Sequence, residues 1–217
     1  MRTFVYIDGF NLYYRALKGT RHKWLDIVAL SRAVLPGACQ VVRVNYYTAR
    51  VSGRTNPDSP KRQHAYLRAL GTLPEVAVHY GSFMVSHRWA GLVPPPRFKP
   101  PFALPAGAAP DAANVWKIEE KGSDVNLGAH LVRDACMGAF DVAAVLTNDT
   151  DLLEPVRIVR DELKLPVTLL TPVSRPAVSL AQAASEVRHI KPYLGPCQFP
   201  DPIHVPDKPS IVKPAGW

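Results

Sequence analysis

Long apolar runs are absent from this chain of 217 residues. No stretch approaches the roughly 18 consecutive apolar residues of a membrane helix, so the sequence predicts no membrane partner. The N-terminus, MRTFVYIDGF, reaches an aspartate within ten residues and does not read as the apolar region of a signal peptide. Cysteine is scarce, and Cys39, Cys136 and Cys197 lie too far apart for a disulfide framework or a zinc pattern. Together these features favour a cytoplasmic location.

Several enzyme signatures are missing as well. Neither G-x-G-x-x-G nor G-x-x-x-x-G-K-[ST] follows a predicted strand, which disfavours a nucleotide-cofactor enzyme. A phosphatase of the haloacid-dehalogenase type needs a second aspartate two positions after the first, and Phe10 occupies that position after Asp8. No Ser/His/Asp or paired-histidine arrangement is evident, which disfavours cleavage of RNA through its 2′-hydroxyl without a metal.

Positive charge and proline are abundant and unevenly placed. The net charge is +8, which favours a polyanionic partner. Residues 18–62 carry nine Lys/Arg against two acidic residues, whereas residues 119–162 carry ten acidic residues against four Lys/Arg. Of the 22 prolines, seven lie between positions 94 and 110 and seven between 192 and 214. We therefore predict one domain over residues 1–191, with a proline-rich excursion at about 88–112, and a proline-rich tail over 192–217.

Apolar runs of strand length alternate with helical patterns along the domain. Predicted strands lie at 3–7, 40–48, 76–80, 141–146 and 166–170, and predicted helices at 25–35, 61–71, 123–137, 151–163 and 179–184. This alternation indicates an α/β fold with a mainly parallel sheet. Ligands of such sheets bind beyond the carboxyl ends of the strands, where the strand order switches.

Four aspartates are predicted to meet at that edge of the sheet. Asp8 follows the first strand, Asp149 and Asp151 follow the strand at 141–146, and Asp124 begins the helix at 123. Each also has a local explanation, as a helix cap, a turn residue or a first-turn acid that complements a helix dipole. Convergent carboxylates repel one another unless a cation is present, and they suit Mg²⁺ or Mn²⁺ better than zinc.

Three segments carry a family resemblance: YIDGFNLYY at 6–14, KGSDVNLGAHLVRDA at 121–135 and LTNDTDLLEPV at 146–156. In order and spacing they resemble the NYN domain, the bacterial LabA/limkain-like branch of the PIN-like nucleases, over roughly residues 3–190. The resemblance implies a three-layer sandwich, metal-dependent RNA cleavage, and a metal held by Asp8, Asp124, Asp149 and Asp151. The late motif departs from the family's usual SGDSDF, because Asn148 replaces glycine and Leu152 replaces an aromatic residue.

The predicted activity is hydrolysis of a phosphodiester by a water that Mg²⁺ or Mn²⁺ activates. Asn11 and Lys121 are candidate catalytic partners, with a helix cap and a solvated lysine as their alternatives. Candidate substrate contacts are basic residues of the first half, one aromatic residue at the mouth of the excursion and two residues beside the acids: Arg50, Arg54, Lys61, Arg62, Trp89, Thr147 and Asn148. A catalytically inactive RNA-binding or partner-binding module on the same fold is the second hypothesis. The excursion is a substrate lid, a contact of a homo-oligomer or a disordered surface insertion.

Overall fold

A parallel sheet of six strands forms the centre of the computed structural model, which describes residues 1–53, 56–108 and 110–217. The strands of the described part are, in chain order, β1 (Arg2–Asp8), β2 (Gln40–Thr48), β3 (Val76–Tyr80), β4 (Ser82–Gly91), β5 (Ala112–Lys121), β6 (Val142–Leu146), β7 (Val167–Thr171), β8 (Glu186–His189), β9 (Ile203–Val205) and β10 (Lys208–Ile211). The central sheet has the order β3-β2-β1-β6-β7-β8. Every neighbouring pair in it is parallel.

The strand order places a switch point between β1 and β6. From β1 the chain builds outward through β2 and β3 on one side, and it later builds outward from β6 through β7 and β8 on the other. The carboxyl ends of β1 and β6 therefore border a crevice from which the connections leave in opposite directions. The predicted α/β fold with a mainly parallel sheet is confirmed.

Helices cover both faces of the sheet. They are α1 (Gly9–Leu12), α2 (Ile27–Val34), α3 (Ser59–Leu70), α4 (Ser123–Cys136), α5 (Leu153–Arg157) and α6 (Val178–Ala183). Successive residues of β1 point to opposite faces, so Val5 and Ile7 join one apolar cluster and Tyr6 joins the other. The result is three layers, an architecture compatible with a PIN-like sandwich.

Two buried hydroxyl groups attach α4 to the sheet. The hydroxyl of Tyr6 donates to Asp134 Oδ2 at 2.9 Å. The hydroxyl of Tyr47 lies 3.0 Å from His130 Nδ1. Because both contacts lie along α4, they orient the helix so that its first turn stays at the carboxyl edge of the sheet.

A two-stranded antiparallel ribbon, β4 paired with β5, departs from the central sheet. It contains both ends of the proline-rich excursion, and the prolines themselves lie in the connection between the two strands. The chain therefore returns from the excursion through β5. The ribbon ends at Lys121, just before α4 begins.

The C-terminal segment packs on the domain. Phe199, Ile203 and Ile211 are buried in the same apolar cluster as Val5, and β9 pairs with β10. The proline-rich tail predicted at 192–217 therefore contains regular structure and packs on the core, because the apolar residues between its prolines find partners there. The domain boundary at 191 stays a prediction. Over the described residues, no helix combines the length and apolarity needed to cross a membrane.

A glycine is required at position 9 because residues of β2 approach its backbone closely. A Cβ at this position would lie 2.6 Å from the carbonyl oxygen of Tyr47 and 2.7 Å from the ring of Tyr46. We expect Gly9→Ala to lower the free energy of unfolding by about 1–3 kcal/mol, because a backbone atom must move. Gly37→Ala is the matched control, since no atom lies within 4 Å of a Cβ there. Equal denaturant midpoints for the two variants would contradict this explanation.

Candidate functional site

Asp8 is the buried centre of the site. It ends β1, is only 3% exposed, and caps α1 by accepting a hydrogen bond from the Asn11 amide at 2.9 Å. Its Oδ2 accepts from Asn11 Nδ2 at 2.8 Å and from Thr147 Oγ1 at 3.2 Å. Burial raises the pKa of Asp8; the hydrogen bonds from Asn11 and Thr147 lower it in part, and the charge of Asp149 adds to the rise.

Asn11 joins the ends of β1 and β6. While its amide groups donate to Asp8, its Oδ1 accepts from the backbone N–H of Asn148 at 3.2 Å. Thr147 is fully buried and connects two acids. Its hydroxyl donates to Asp8, and its Oγ1 accepts from the Asp149 backbone N–H at 3.0 Å. The side chain of Asn148 accepts from the Ala177 backbone N–H at 2.9 Å, so it holds the loop before α6.

Asp149 and Asp151 lie in the turn after β6. Oδ1 of Asp149 accepts from the Asp151 backbone N–H at 3.1 Å and caps a short 3₁₀ turn, Thr150–Leu152. Asp151 lies in the first turn and is exposed. The local cap explanation is therefore correct for Asp149, yet a cap uses only one of its two carboxylate oxygens.

Asp124 faces these acids from the first turn of α4, which begins after Gly122 in a left-handed conformation with φ 92°. The pKa of Asp124 is raised to about 6, first by burial and then by the carboxylates of Asp8, Asp149, Glu120 and Asp151. Because all four charges act in the same direction, the acids form one electrostatic cluster.

A cleft of about 310 Å³ lies between the acids and the base of the ribbon. Asp8, Asp124 and Asp149 line it together with Asn11, so the structure brings four of the predicted site residues to one place. Asp151 lies outside this cleft and lines an adjoining groove, which Asp124 shares.

Five further residues line the cleft: Phe10, Tyr14, Phe83, Ile118 and Glu120. The aromatic wall is built by Phe10, which stacks against Tyr14 and meets Phe83 edge to face with centroids 5.7 Å apart. Glu120 Oε1 accepts from the Ser123 backbone N–H at 3.1 Å. A glutamate three residues before a helix start was the available indication for Glu120.

The other predicted residues lie outside the cleft. Lys121 pairs with Glu119 at 3.4 Å and borders the adjoining groove. The guanidinium of Arg50 lies 5.0 Å from the centre of the Tyr80 ring.

Lys61, Arg62 and Trp89 lie on α3 and β4 and do not line the cleft. Lys61 and Arg62 approach Asp58 within 4 Å on α3. Trp89 is 72% exposed on β4. Arg54 is outside the described residues. The roles predicted for all of these residues stay predictions.

The carboxylate oxygens that line the cleft are ligands of the kind that a hard divalent cation prefers. As the side chains stand, no group of three or more His, Cys, Asp or Glu able to hold a metal is found within residues 1–53, 56–108 and 110–217. Mg²⁺ commonly binds through only one or two carboxylates, keeping several waters and contacting substrate phosphates, so it does not need such a group. The repulsion that raises the pKa of Asp124 would be relieved by a cation among the acids.

Fold and cleft together define an α/β protein with an acidic site at the switch point of a parallel sheet. No family model matches the chain. It is 30% identical, over 242 aligned positions, to 6-hydroxy-3-succinoylpyridine 3-monooxygenase HspA of Pseudomonas putida (strain DSM 28022 / S16), and the alignment covers all of this chain and 75% of that protein. The chain belongs to the family of that monooxygenase.

A solved structure shares the fold. The crystal structure of a protein of unknown function from Vibrio parahaemolyticus RIMD 2210633 superposes with a TM-score of 0.52 at 17% identity. The match covers 87% of this chain and 92% of the other. At this identity the likeness concerns the architecture alone.

The raised pKa of Asp124 gives a test of the acidic cluster. A carboxyl whose pKa is higher in the folded than in the unfolded protein favours folding at low pH, and this contribution is lost as pH rises through about 6. We therefore expect the melting temperature of Asp124→Asn, relative to that of the unsubstituted protein, to be higher at pH 7.5 than at pH 4.5. Both melts are recorded in EDTA.

Asp207→Asn is the control for the substitution itself, because Asp207 is exposed in the turn between β9 and β10. Asparagine also tolerates the positive φ of 57° found there. A relative melting temperature of Asp124→Asn that stays the same at both pH values would mean that burial and the four neighbouring acids do not raise the pKa of Asp124.

Proposed function

We propose that this protein is a metal-dependent nuclease of the NYN type, an endoribonuclease that hydrolyses phosphodiester bonds. The observation that carries the proposal is the convergence of Asp8, Asp124 and Asp149 on one cleft at the switch point of the sheet. Such a cleft is the usual ligand position of an open α/β sheet. Carboxylates gathered from three separate segments repel one another, and a cation-dependent reaction is a physical reason to gather them.

Mg²⁺ or Mn²⁺ is the proposed cofactor, held by Asp8, Asp124 and Asp149, with Asp151 on the side of the adjoining groove. A divalent cation supplies charge neutralisation of the phosphate and acidification of a nearby water. Asp8 is suited to orient such an ion because Asn11 and Thr147 fix its carboxylate by three hydrogen bonds. Asp149 is held by its cap and presents its second oxygen.

The walls of the cleft suit a nucleotide. Phe10, Tyr14 and Phe83 line the cleft beside the acids and provide flat rings there. The amino group of Lys18 lies 4.9 Å from the centre of the Tyr14 ring, which places positive charge at the rim. We propose that Arg50, Lys61 and Arg62 track the phosphate backbone beyond the cleft.

Cleavage of labelled single-stranded and hairpin RNA and DNA tests the proposal directly. We expect cleavage of RNA in Mg²⁺ or Mn²⁺ and none in EDTA. Asp149→Asn should lower the rate by more than the roughly 10- to 100-fold that loss of an outer-shell partner costs. The fold should persist, because asparagine keeps the Oδ1 that accepts from the Asp151 backbone N–H.

Asp207→Asn is again the matched control and should cleave normally. Cleavage that survives in EDTA, or that Asp149→Asn leaves unchanged, would contradict the proposal. Binding of RNA without any cleavage would favour the inactive binding module instead.

Membership of the HspA family favours a second candidate, hydroxylation of an aromatic ring such as a pyridine. The similarity covers the whole chain, and the aromatic wall of the cleft could pack against a planar ring. A monooxygenase places one oxygen atom of O₂ in its substrate and reduces the other to water with two electrons from a reductant. It therefore needs a reductant and normally a cofactor that handles O₂.

Consumption of O₂ and of NADH or NADPH with 6-hydroxy-3-succinoylpyridine separates the two candidates. Under the nuclease proposal, we expect the pyridine to leave both rates unchanged, with and without added flavin or Fe²⁺. Consumption that depends on the pyridine, together with a hydroxylated product, would overturn the nuclease proposal. Phe83→Ala, which removes part of the aromatic wall, should then weaken this activity more than Asp207→Asn.

A further inference from the structure

The β4–β5 ribbon has two different faces. Side chains alternate along each strand, so Phe83, Val85, His87 and Trp89 lie on one face, opposite Glu120, Ile118, Trp116 and Asn114 of β5. We call this the cleft-side face. It begins inside the candidate site, because Phe83, Ile118 and Glu120 line the cleft. A ligand that leaves the cleft in this direction meets the same face farther out.

The outer part of the cleft-side face carries large exposed rings. Trp89 is 72% exposed and Trp116 is 66% exposed. His87 meets Trp116 edge to face with ring centroids 5.8 Å apart. Apolar ring surface of this size is unfavourable in water, and grouped exposure of such rings is typical of an interaction site.

The opposite face is more polar. Lys117 and Lys121 both pair with Glu119 there, and Met84 is its largest exposed apolar side chain on β4. The two faces therefore differ, and the aromatic rings lie on the face that continues outward from the acidic cleft. An apolar contact used only to stabilise the ribbon would not need the rings on this side.

Positive charge is present at the outer end of the ribbon. The connection between the strands, residues 92–111, has two basic residues, Arg97 and Lys99, against a single acidic one, Asp111. Arg97 and Lys99 are exposed in the connection between the strands. The order from the cleft outward is therefore carboxylates, then flat rings, then basic groups.

We infer that the cleft-side face is a stacking platform for single-stranded nucleic acid. Bases of the strand stack on Trp89 and Trp116, phosphates approach Arg97 and Lys99, and the strand continues into the acidic cleft. The inference rests on the proposed function for the chemical nature of the substrate. It adds that the substrate is single-stranded, because bases paired within a duplex do not offer their faces to protein rings.

A second copy of the chain is the competing occupant. Val93 and Phe102 are exposed near the end of the ribbon, and apolar side chains of this kind also occur in protein interfaces. The order of charges and rings favours the nucleic acid, because its bases can stack on the rings and its phosphates can approach the basic groups. A second copy, with the same net charge of +8, would be repelled.

Binding measured without cleavage tests the inference. A fluorescein-labelled 12-nucleotide RNA without self-complementarity is titrated with the full chain in Ca²⁺, by fluorescence anisotropy. We expect Trp89→Ala to weaken binding at least about fivefold, as the loss of one stacked base does, and Trp89→Phe to retain most of the affinity. Met84→Ala, on the opposite face of the same ribbon, is the matched control and should bind normally. The duplex form of the RNA should compete poorly.

The outcomes separate this inference from the proposed function. Trp-dependent binding of the single strand with no cleavage under any metal supports the platform and overturns the nuclease. Cleavage that Trp89→Ala and Trp116→Ala leave unchanged, with unaltered binding, supports the nuclease and overturns the platform. Equal competition by the duplex also overturns it. So does sedimentation that shows a dimer for the unsubstituted protein and a monomer for Trp89→Ala.

Discussion

The burial of the Asp8 carboxylate is the constraint on which the rest of the site depends. A charge that is only 3% exposed at the end of a central strand is unfavourable unless its oxygens are hydrogen-bonded. Asn11 and Thr147 supply those bonds from α1 and from the end of β6, so the carboxylate joins the two strands that flank the switch point. Gly9 is needed for the same reason, because α1 must start immediately after Asp8 and against β2.

Several elements then bring negative charge to one place at an energetic cost. The contacts of Tyr6 with Asp134 and of Tyr47 with His130 hold α4 so that Asp124 faces Asp8 and Asp149. Burial and the four neighbouring carboxylates raise the pKa of Asp124, which is one sign of that cost. Repulsion between gathered carboxylates is common at functional sites, and binding of a cation or a proton would relieve it.

Membership of the family of a monooxygenase and the acidic character of the cleft favour different chemistry. One fold can carry unrelated reactions, because the reaction depends on the groups in the cleft rather than on the sheet beneath it. In this chain the same cleft is lined by carboxylates and by the aromatic residues Phe10, Tyr14 and Phe83. The acids carry the nuclease proposal, and the aromatic wall is the part that would also serve a planar ring.

The sequence by itself determined the α/β class and most element positions, because strand and helix periodicities are local. It also determined that Asp8 and Asp149 share an edge, since both directly follow buried parallel strands. Only the tertiary structure decided that Glu120, Phe83 and Ile118 complete the cleft: they come from the antiparallel ribbon, whose pairing joins residues far apart in the chain. It also decided the packing of the tail. Phe199 is buried against residues far away in the sequence, such as Trp24, and the centroids of these two rings are 5.7 Å apart. Local patterns report which side chains are apolar or charged, whereas their partners depend on how distant segments meet.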